Sequence, residues 1–286
     1  EKFCFVEQEA MDVNEKQVVL LTGCSEGGIG HAMAREFAAN GCLVAATSRS
    51  LKTIKDLEHD HRFYLQELDV VSSESVEDAV SNVIKKFGKI DILVNNAGIL
   101  CLGPLAEIPL SRVQDTFNTN VYGVMRMVQA VVPHMASKRK GKVVNIGSVA
   151  ALAHAPWAGG YTASKAALHA ITDVMRLELK PLGIDVIGVA PGAIKSNIAN
   201  SAIASYDQVS ESKLYKRYEE VIRRRAYVSQ GSNNTSAEEF AKRTVAKVLQ
   251  KNPPEWFYCG RYSLAMAVLH YMPTFVKDFT MKRLFM

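Results

Sequence analysis

The chain has 286 residues, 48% hydrophobic and 22% charged, which excludes wholesale disorder and allows one large core. Its 34 basic and 29 acidic residues leave a net charge of +5, too mild a surplus to argue for a nucleic-acid partner. Five cysteines (Cys4, Cys24, Cys42, Cys101, Cys259) without a CxxC pair argue against a disulfide framework or a zinc site, so no metal is expected.

Cysteine usage of this kind fits a reducing, intracellular compartment. No apolar run reaches the ~18 residues of a spanning helix. The start, Glu1 to Glu7, is too acidic and its apolar stretch too short for a signal peptide. Residues 1–15 read as an N-terminal extension, with Met11 a candidate natural start.

Val18-Val19-Leu20-Leu21 reads as a buried parallel strand ending in Thr22-Gly23. Ile29 to Ala39 has helical spacing and stops at Asn40-Gly41. Cys42 to Thr47 and Phe63 to Leu68 are the next strands, followed by a helix from Ser73 to Phe87 that Gly88 closes. Ile90 to Val94 is a fourth strand, and a long helix is predicted from Ser111 to Ala136. Gly141 to Ile146 is strand five, Tyr161 to Lys180 a helix, and Ile184 to Val189 strand six. After a polar segment come a helix from Ala237 to Gln250 and a short strand from Glu255 to Cys259.

Strands that alternate with helices mark right-handed βαβ units. The predicted fold is α/β: a single-domain, Rossmann-like, doubly wound parallel sheet with helices on both faces. That domain spans 16–260, with 195–235 as a cap over the site and 261–286 as an apolar tail.

The segment Thr22 to Gly30 places glycines between strand one and helix one. A dinucleotide pyrophosphate needs a tight turn, close backbone approach and a helix N-terminus aimed at its charge, so this segment is a cofactor loop. At the end of strand two stand Ser48 and Arg49, where a binder of unphosphorylated ribose usually carries an acid. Arg49 would attract a 2′-phosphate, which favours NADP(H) over NAD(H); a solvated loop arginine is the plainer alternative.

Tyr161 and Lys165 stand four apart on a predicted helix and share a face. A neighbouring ammonium is expected to lower the phenol pKa and let Tyr161 pass a proton to a carbonyl oxygen. Ser148, just past strand five, can hold the same oxygen.

With these motifs in order, the chain resembles the short-chain dehydrogenase/reductases from Lys16 to Gly260. The further matches are Asp69-Val70, Asn95-Asn96-Ala97-Gly98, Asn120 in Asn120-Val121-Tyr122-Gly123, and Pro191-Gly192. The resemblance implies Tyr161 as acid/base, Lys165 on the nicotinamide ribose, Ser148 orienting the carbonyl, and Asn120 supporting a proton relay. It implies cofactor contacts from Gly23, Ser25, Gly28, Ile29 and Gly30, from Asp69 and Val70 at the adenine, and from Asn95, Ala97 and Gly98. Pro191, Gly192, Ile194 and Ser196 would meet the nicotinamide end. The family's TGxxxGxG loop has one extra residue here, so Gly27 and Gly28 compete for its middle glycine, and Ser196 stands for the usual threonine.

Within the family the chain is similar to the 1-acyldihydroxyacetone-phosphate reductase branch and its plant relatives. The expected activity is NADPH-dependent reduction of a hydrophobic carbonyl compound, or oxidation of the corresponding alcohol. The alternatives are a cofactor-binding subunit of a hetero-oligomeric aldehyde-forming enzyme and a steroid, retinoid or terpenoid dehydrogenase. Leu100, Leu102, Ala150, Leu152, Trp157, Ile198 and Tyr206 are candidate pocket walls.

Lys213, Lys216, Arg217 and Arg223 to Arg225 form a basic cluster in the cap. It suits either a phosphorylated substrate or a solvated outer face. The tail from Leu264 to Met286, interrupted by Pro273, suits packing on the core, packing on a second subunit, or peripheral membrane contact. The family's dimer or tetramer helices would offer Val121, Met125, Val128, Val132, Ala166, Ala170 and Met175. The expected location is the cytoplasm or the surface of endoplasmic reticulum or lipid droplets, with the peroxisome left open.

Overall fold

Short apolar runs such as Val18 to Leu21 are buried on both faces, the pattern of a parallel sheet covered on either side. In the computed structural model, which describes residues 15–207 and 214–286, seven strands form one sheet. They are β1 (Val18–Leu21), β2 (Leu43–Ser48), β3 (Phe63–Glu67), β4 (Ile92–Asn95), β5 (Gly141–Ile146), β6 (Ile184–Pro191) and β7 (Trp256–Cys259). Their order is β3-β2-β1-β4-β5-β6-β7, and every pairing is parallel. The expected N-terminal extension, except Glu15, and the cap residues Glu211 and Lys213 lie outside the described residues.

Alternate residues of each strand feed two cores. Val19, Leu21, Val44 and Ala46 face α1 (Ile29–Ala39) and α8 (Ala237–Val248), where Phe37 and Phe240 are fully buried. Leu20, Leu43, Ala45 and Leu93 face α2 (Ser73–Phe87), α4 (Gly123–Ser137) and α5 (Gly159–Leu179). Phe240→Ala would leave a void in the first core and is expected to cost about 3–5 kcal/mol. Urea denaturation checks this: the midpoint should fall while the slope holds.

The long helix expected from Ser111 to Ala136 is broken into α3 (Leu110–Phe117), a π turn (Asn118–Tyr122) and α4. Asn120 sits in that turn, fully buried, with its amide bridging both backbone groups of Ile99 at 2.9 and 3.0 Å. Helical bulges of this kind re-aim a side chain at the cost of regular bonding.

The cap comprises α6 (Ile198–Asp207) and α7 (Glu219–Ala226), packed with Leu102, Trp157 and Tyr206 into a small core of their own. The tail folds as α9 (Ser263–His270) and α10 (Thr274–Phe285), separated by Pro273. One side of it packs on the protein through Met266, Leu269, Met281 and Phe285 against Ala153 and Ala155. Its other side exposes Leu264, Tyr271, Phe275 and Phe279. No helix among the described residues is long and apolar enough to cross a membrane.

Three of the residues suggested for a subunit interface, Val121, Val128 and Met175, are buried inside the protomer instead. The large apolar residues exposed on those helices and the π turn are Tyr122, Val174 and Leu177.

Candidate active site

A parallel sheet whose strand order reverses opens a crevice at the carboxyl ends of the strands on either side of the reversal. Here the reversal lies between β1 and β4. A cavity of about 670 Å³ occupies that crevice and continues over β5 and β6 beneath the cap and tail.

The glycine loop forms one end. Helices α2 and α8 are capped by the Ser72 and Ser236 hydroxyls, whereas α1 begins at Gly28 with no side-chain cap and no acid in its first turn. Its leading N–H groups are left for an anion, the arrangement a pyrophosphate requires. Gly23, Ser25, Gly28 and Ile29 line the cavity. Gly30 does not; it is a packing residue, because a Cβ there would lie 2.3 Å from the Gly23 carbonyl oxygen.

The competition between Gly27 and Gly28 is resolved by place. Gly28 faces the cavity, while Gly27 takes a left-handed turn (φ +71°) and meets the cap. The Gly27 carbonyl accepts from Asn197 N–H at 3.2 Å, and the Asn197 amide donates to the Glu26 carbonyl at 2.8 Å. A Cβ on Gly27 would fall 2.3 Å from Asn197 Nδ2. The extra residue thus serves contact between loop and cap.

Beside the loop, the hydroxyls of Ser25, Ser48 and Thr53 form a triangle with sides of 2.7 to 3.1 Å. Arg49 lines the cavity next to them, exposed and without an acidic partner among the described residues. Thr53 was missed by sequence reasoning, although it lies one short turn beyond Arg49. Asp69 and Val70 line the far wall, and Thr22 Oγ1 accepts the N–H groups of Asn96 and Ala97 at 3.0 Å.

Ala97 and Gly98 reach the cavity, but the expected Asn95 does not. Its amide points into the sheet and donates to Asn145 Oδ1 at 2.9 Å. Asn96 lines the cavity in its stead.

Ser148 follows β5 and caps a short 3₁₀ turn, its oxygen accepting from Ala150 N–H at 3.1 Å. Its hydroxyl also acts to lower the pKa of the Tyr161 phenol, against the effect of burial. Lys165, one turn along α5, donates from Nζ to the Ile146 carbonyl at 2.8 Å and lies 5.9 Å from the Tyr161 ring centre. All three line the cavity. Asn120 stands just behind: its Oδ1 would lie 3.2 Å from a Cβ on Gly98, and Lys165 Nζ 3.6 Å. Its Nδ2 donates to Ser164 Oγ at 3.0 Å as well as to Ile99. Pro191, Gly192, Ile194 and Ser196 complete the wall.

The expected lowering of the Tyr161 pKa is not what the site produces. Burial raises the phenol above its ordinary value, outweighing the Ser148 hydrogen bond and the charge of Arg225, which oppose it. Burial also brings Lys165 down to about 8, which weakens its hold on a phenolate. Two sequence features were underrated here. Arg225 on α7 enters the cavity, and the tail supplies Met266, Met281 and Phe285 to its wall. Of the suggested apolar walls, Leu100, Ala150 and Ile198 line the cavity; Leu102, Trp157 and Tyr206 instead hold the cap together.

His169, one turn beyond Lys165, was overlooked although the i,i+4 spacing marks it. Its Nε2 accepts from Ser148 N–H at 3.2 Å and so fixes the backbone that carries the serine. Burial, with the charge of Lys165, depresses its pKa to about 4. The unfolded chain therefore binds the proton first, and stability is complete above the ordinary value of 6.5 and is lost as pH falls toward about 4. The loss is expected to be on the order of 2–3 kcal/mol. His169→Gln should flatten the fall of the urea midpoint across that window.

Architecture and cavity together describe a dinucleotide-binding α/β oxidoreductase. The family model described as short chain dehydrogenase matches residues 17–207, and the chain belongs to that family, whose members use NAD or NADP. Short-chain dehydrogenase PC-15 of Penicillium crustosum is 35% identical over 264 residues, 92% of this chain and 96% of that protein. An NADPH-dependent 1-acyldihydroxyacetone phosphate reductase of Schizosaccharomyces pombe is 34% identical over 211 residues, 72% of this chain and 70% of its own. A solved short-chain dehydrogenase from Streptomyces avermitilis is similar with a TM-score of 0.79 at 26% identity, covering 94% of this chain and 97% of that one.

Proposed function

We infer that the protein is an NADPH-dependent carbonyl reductase acting on a hydrophobic small molecule. The observation that carries this reading is the meeting of Ser148, Tyr161 and Lys165 in one cavity with the uncapped start of α1. The residues fit a dinucleotide. Free N–H groups of α1 suit the pyrophosphate, and Arg49 with the Ser25, Ser48 and Thr53 hydroxyls suits a 2′-phosphate. Bound NADPH supplies hydride to the carbonyl carbon.

The chain's own residues manage the oxygen. The Ser148 hydroxyl donates to it and orients it. The Tyr161 phenol, kept protonated by burial, gives it a proton. The phenolate left behind is stabilised by the charge of Arg225. Lys165 has ammonium protons beyond the one given to Ile146, and these suit the ribose hydroxyls. Ala150, Ala153, Met266, Met281 and Phe285 supply an apolar wall. That wall, and the substrate named for the Schizosaccharomyces pombe relative, support a lipid-like carbonyl compound.

Purified protein should consume NADPH in the presence of long-chain ketones, aldehydes or 1-acyldihydroxyacetone phosphate and yield the alcohol. Failure across such a panel, with NADPH bound, would favour a partner-dependent subunit. Exposed Tyr122, Val174 and Leu177 support that second reading as a place for subunit contact. The bare side of the tail, with Phe275 and Phe279 beside Lys277 and Lys282, supports contact with an intracellular lipid surface.

A further inference from the structure

The basic residues of the cap do not share one environment. Arg223 is held by Asp207 at 2.5 Å and Glu219 at 3.1 Å. Arg224 faces Glu220 at 3.4 Å with 70% of its side chain exposed. The guanidinium of Arg217 lies 4.7 Å from the Tyr218 ring centre and donates to its hydroxyl. These three are the solvated outer face that the cluster allowed.

Arg225 turns the other way. It lines the cavity with Ser148 and Tyr161 and is largely buried. Its guanidinium carbon stands 5.0 Å from the centre of the Phe285 ring, and its Nε is buried with no hydrogen-bond partner. No acid among the described residues forms an ion pair with it, while its neighbour Arg223 holds two. A buried cation with unmet donors is costly unless something fills them. A guanidinium braced on a ring keeps its N–H fork in place for a planar or tetrahedral oxyanion.

The cofactor does not account for this cation. Its phosphate groups are matched by α1 and by Arg49, which follow β1 and β2, whereas Arg225 lines the cavity with Ser148 and Tyr161 and its charge acts on the Tyr161 phenol. Ala153, Met281 and Phe285, members of one apolar cluster, line the same cavity.

We propose that Arg225 is a specificity-determining residue that receives an oxyanion, a carboxylate or a phosphate, borne by an apolar substrate whose carbonyl lies at Tyr161. The proposal rests on the carbonyl-reductase reading and narrows its substrate class to amphiphilic anions.

Titration of the NADP⁺-saturated protein tests it, because the dinucleotide then occupies α1 and Arg49. The probes are octanoate, octyl phosphate and 1-octanol, followed by calorimetry. At least one anion should bind about tenfold or more tightly than the alcohol, and the gap should narrow with salt. Whether octanoate or octyl phosphate binds better tells a carboxylate site from a phosphate site. Arg225→Gln should abolish the gap while octanol and NADP⁺ affinities stay within about twofold. Arg224→Gln removes the same charge from the outer face and should preserve it. Arg225→Lys, which keeps the charge and loses the fork, should retain part of the gap and stands in if the glutamine variant does not fold.

Equal binding of the three probes by the unaltered protein, or a gap that survives Arg225→Gln, overturns the proposal. So does a variant whose only change is the pH profile of turnover, since that would make Arg225 a tuner of Tyr161. The titration needs no turnover. A protein that binds the anions through Arg225 yet reduces no carbonyl would sink the reductase reading and leave the anion site standing.

Discussion

Replacing Tyr161 by Phe is expected to lower turnover about 10³-fold while NADPH binds as tightly as before. The substitution removes one hydroxyl and keeps the ring, so the packing of α5 against the cap survives. What is lost is the proposed proton donor. Fluorescence titration of NADPH and steady-state rates on the same preparation separate the two effects. Turnover within about threefold of the unaltered protein would mean that another group delivers the proton.

The direction of the pH dependence follows from the same group. Burial raises the phenol pKa, so Tyr161 carries its proton throughout the neutral range. Carbonyl reduction, which consumes that proton, should hold steady through neutral pH and fall only on the alkaline side. Alcohol oxidation, which needs the phenolate, should rise over the same alkaline range. Lys165, brought down to about 8 by burial, loses charge over the same range, which weakens its hold on the phenolate. Tyr161→Phe should erase the alkaline rise in whatever oxidation remains.

Most strands were legible because they are short, largely apolar and closed by glycine, proline or asparagine, as in Val18 to Gly23. The meeting of Ser148, Tyr161 and Lys165 in one cavity was legible because Tyr161 and Lys165 are local in sequence and Ser148 follows a recognisable strand. Directions were not. Arg223, Arg224 and Arg225 are successive residues of α7, and a helix turns each by about 100° from the last. Only the packing of α7 on the cavity decides which one faces inward. Asn95 and Asn96 pose the same problem at a strand end, where neighbours point to opposite faces.

Long-range partners were equally hidden. Gly27 needs Asn197, and the π turn needs Asn120 to find Ile99, contacts that no local pattern announces. The fate of the tail was ambiguous because its apolar residues surround both helices, and packing uses only part of them. The sign of the Tyr161 shift depended on how much water the cap and tail exclude, a property of the folded cavity.

Arg49→Asp is expected to cut the preference for NADPH over NADH, measured as the ratio of kcat/KM values, by about 100-fold. Two contributions act together. The guanidinium that would attract a 2′-phosphate disappears, and a carboxylate that would repel one takes its place. The same carboxylate can accept the 2′-hydroxyl of NADH, so kcat/KM for NADH should hold or rise.

The Ser25, Ser48 and Thr53 hydroxyls remain in the variant and can still bind a phosphate. Arg49→Gln, which leaves those hydroxyls alone and adds no repulsion, should therefore shift the ratio by only about tenfold. Because Arg49 is exposed, salt should shrink the preference of the unaltered protein and leave that of Arg49→Gln nearly constant. A ratio unmoved by either substitution would assign the choice of cofactor to the hydroxyl triangle alone, and Thr53→Val would then be the variant that shifts it.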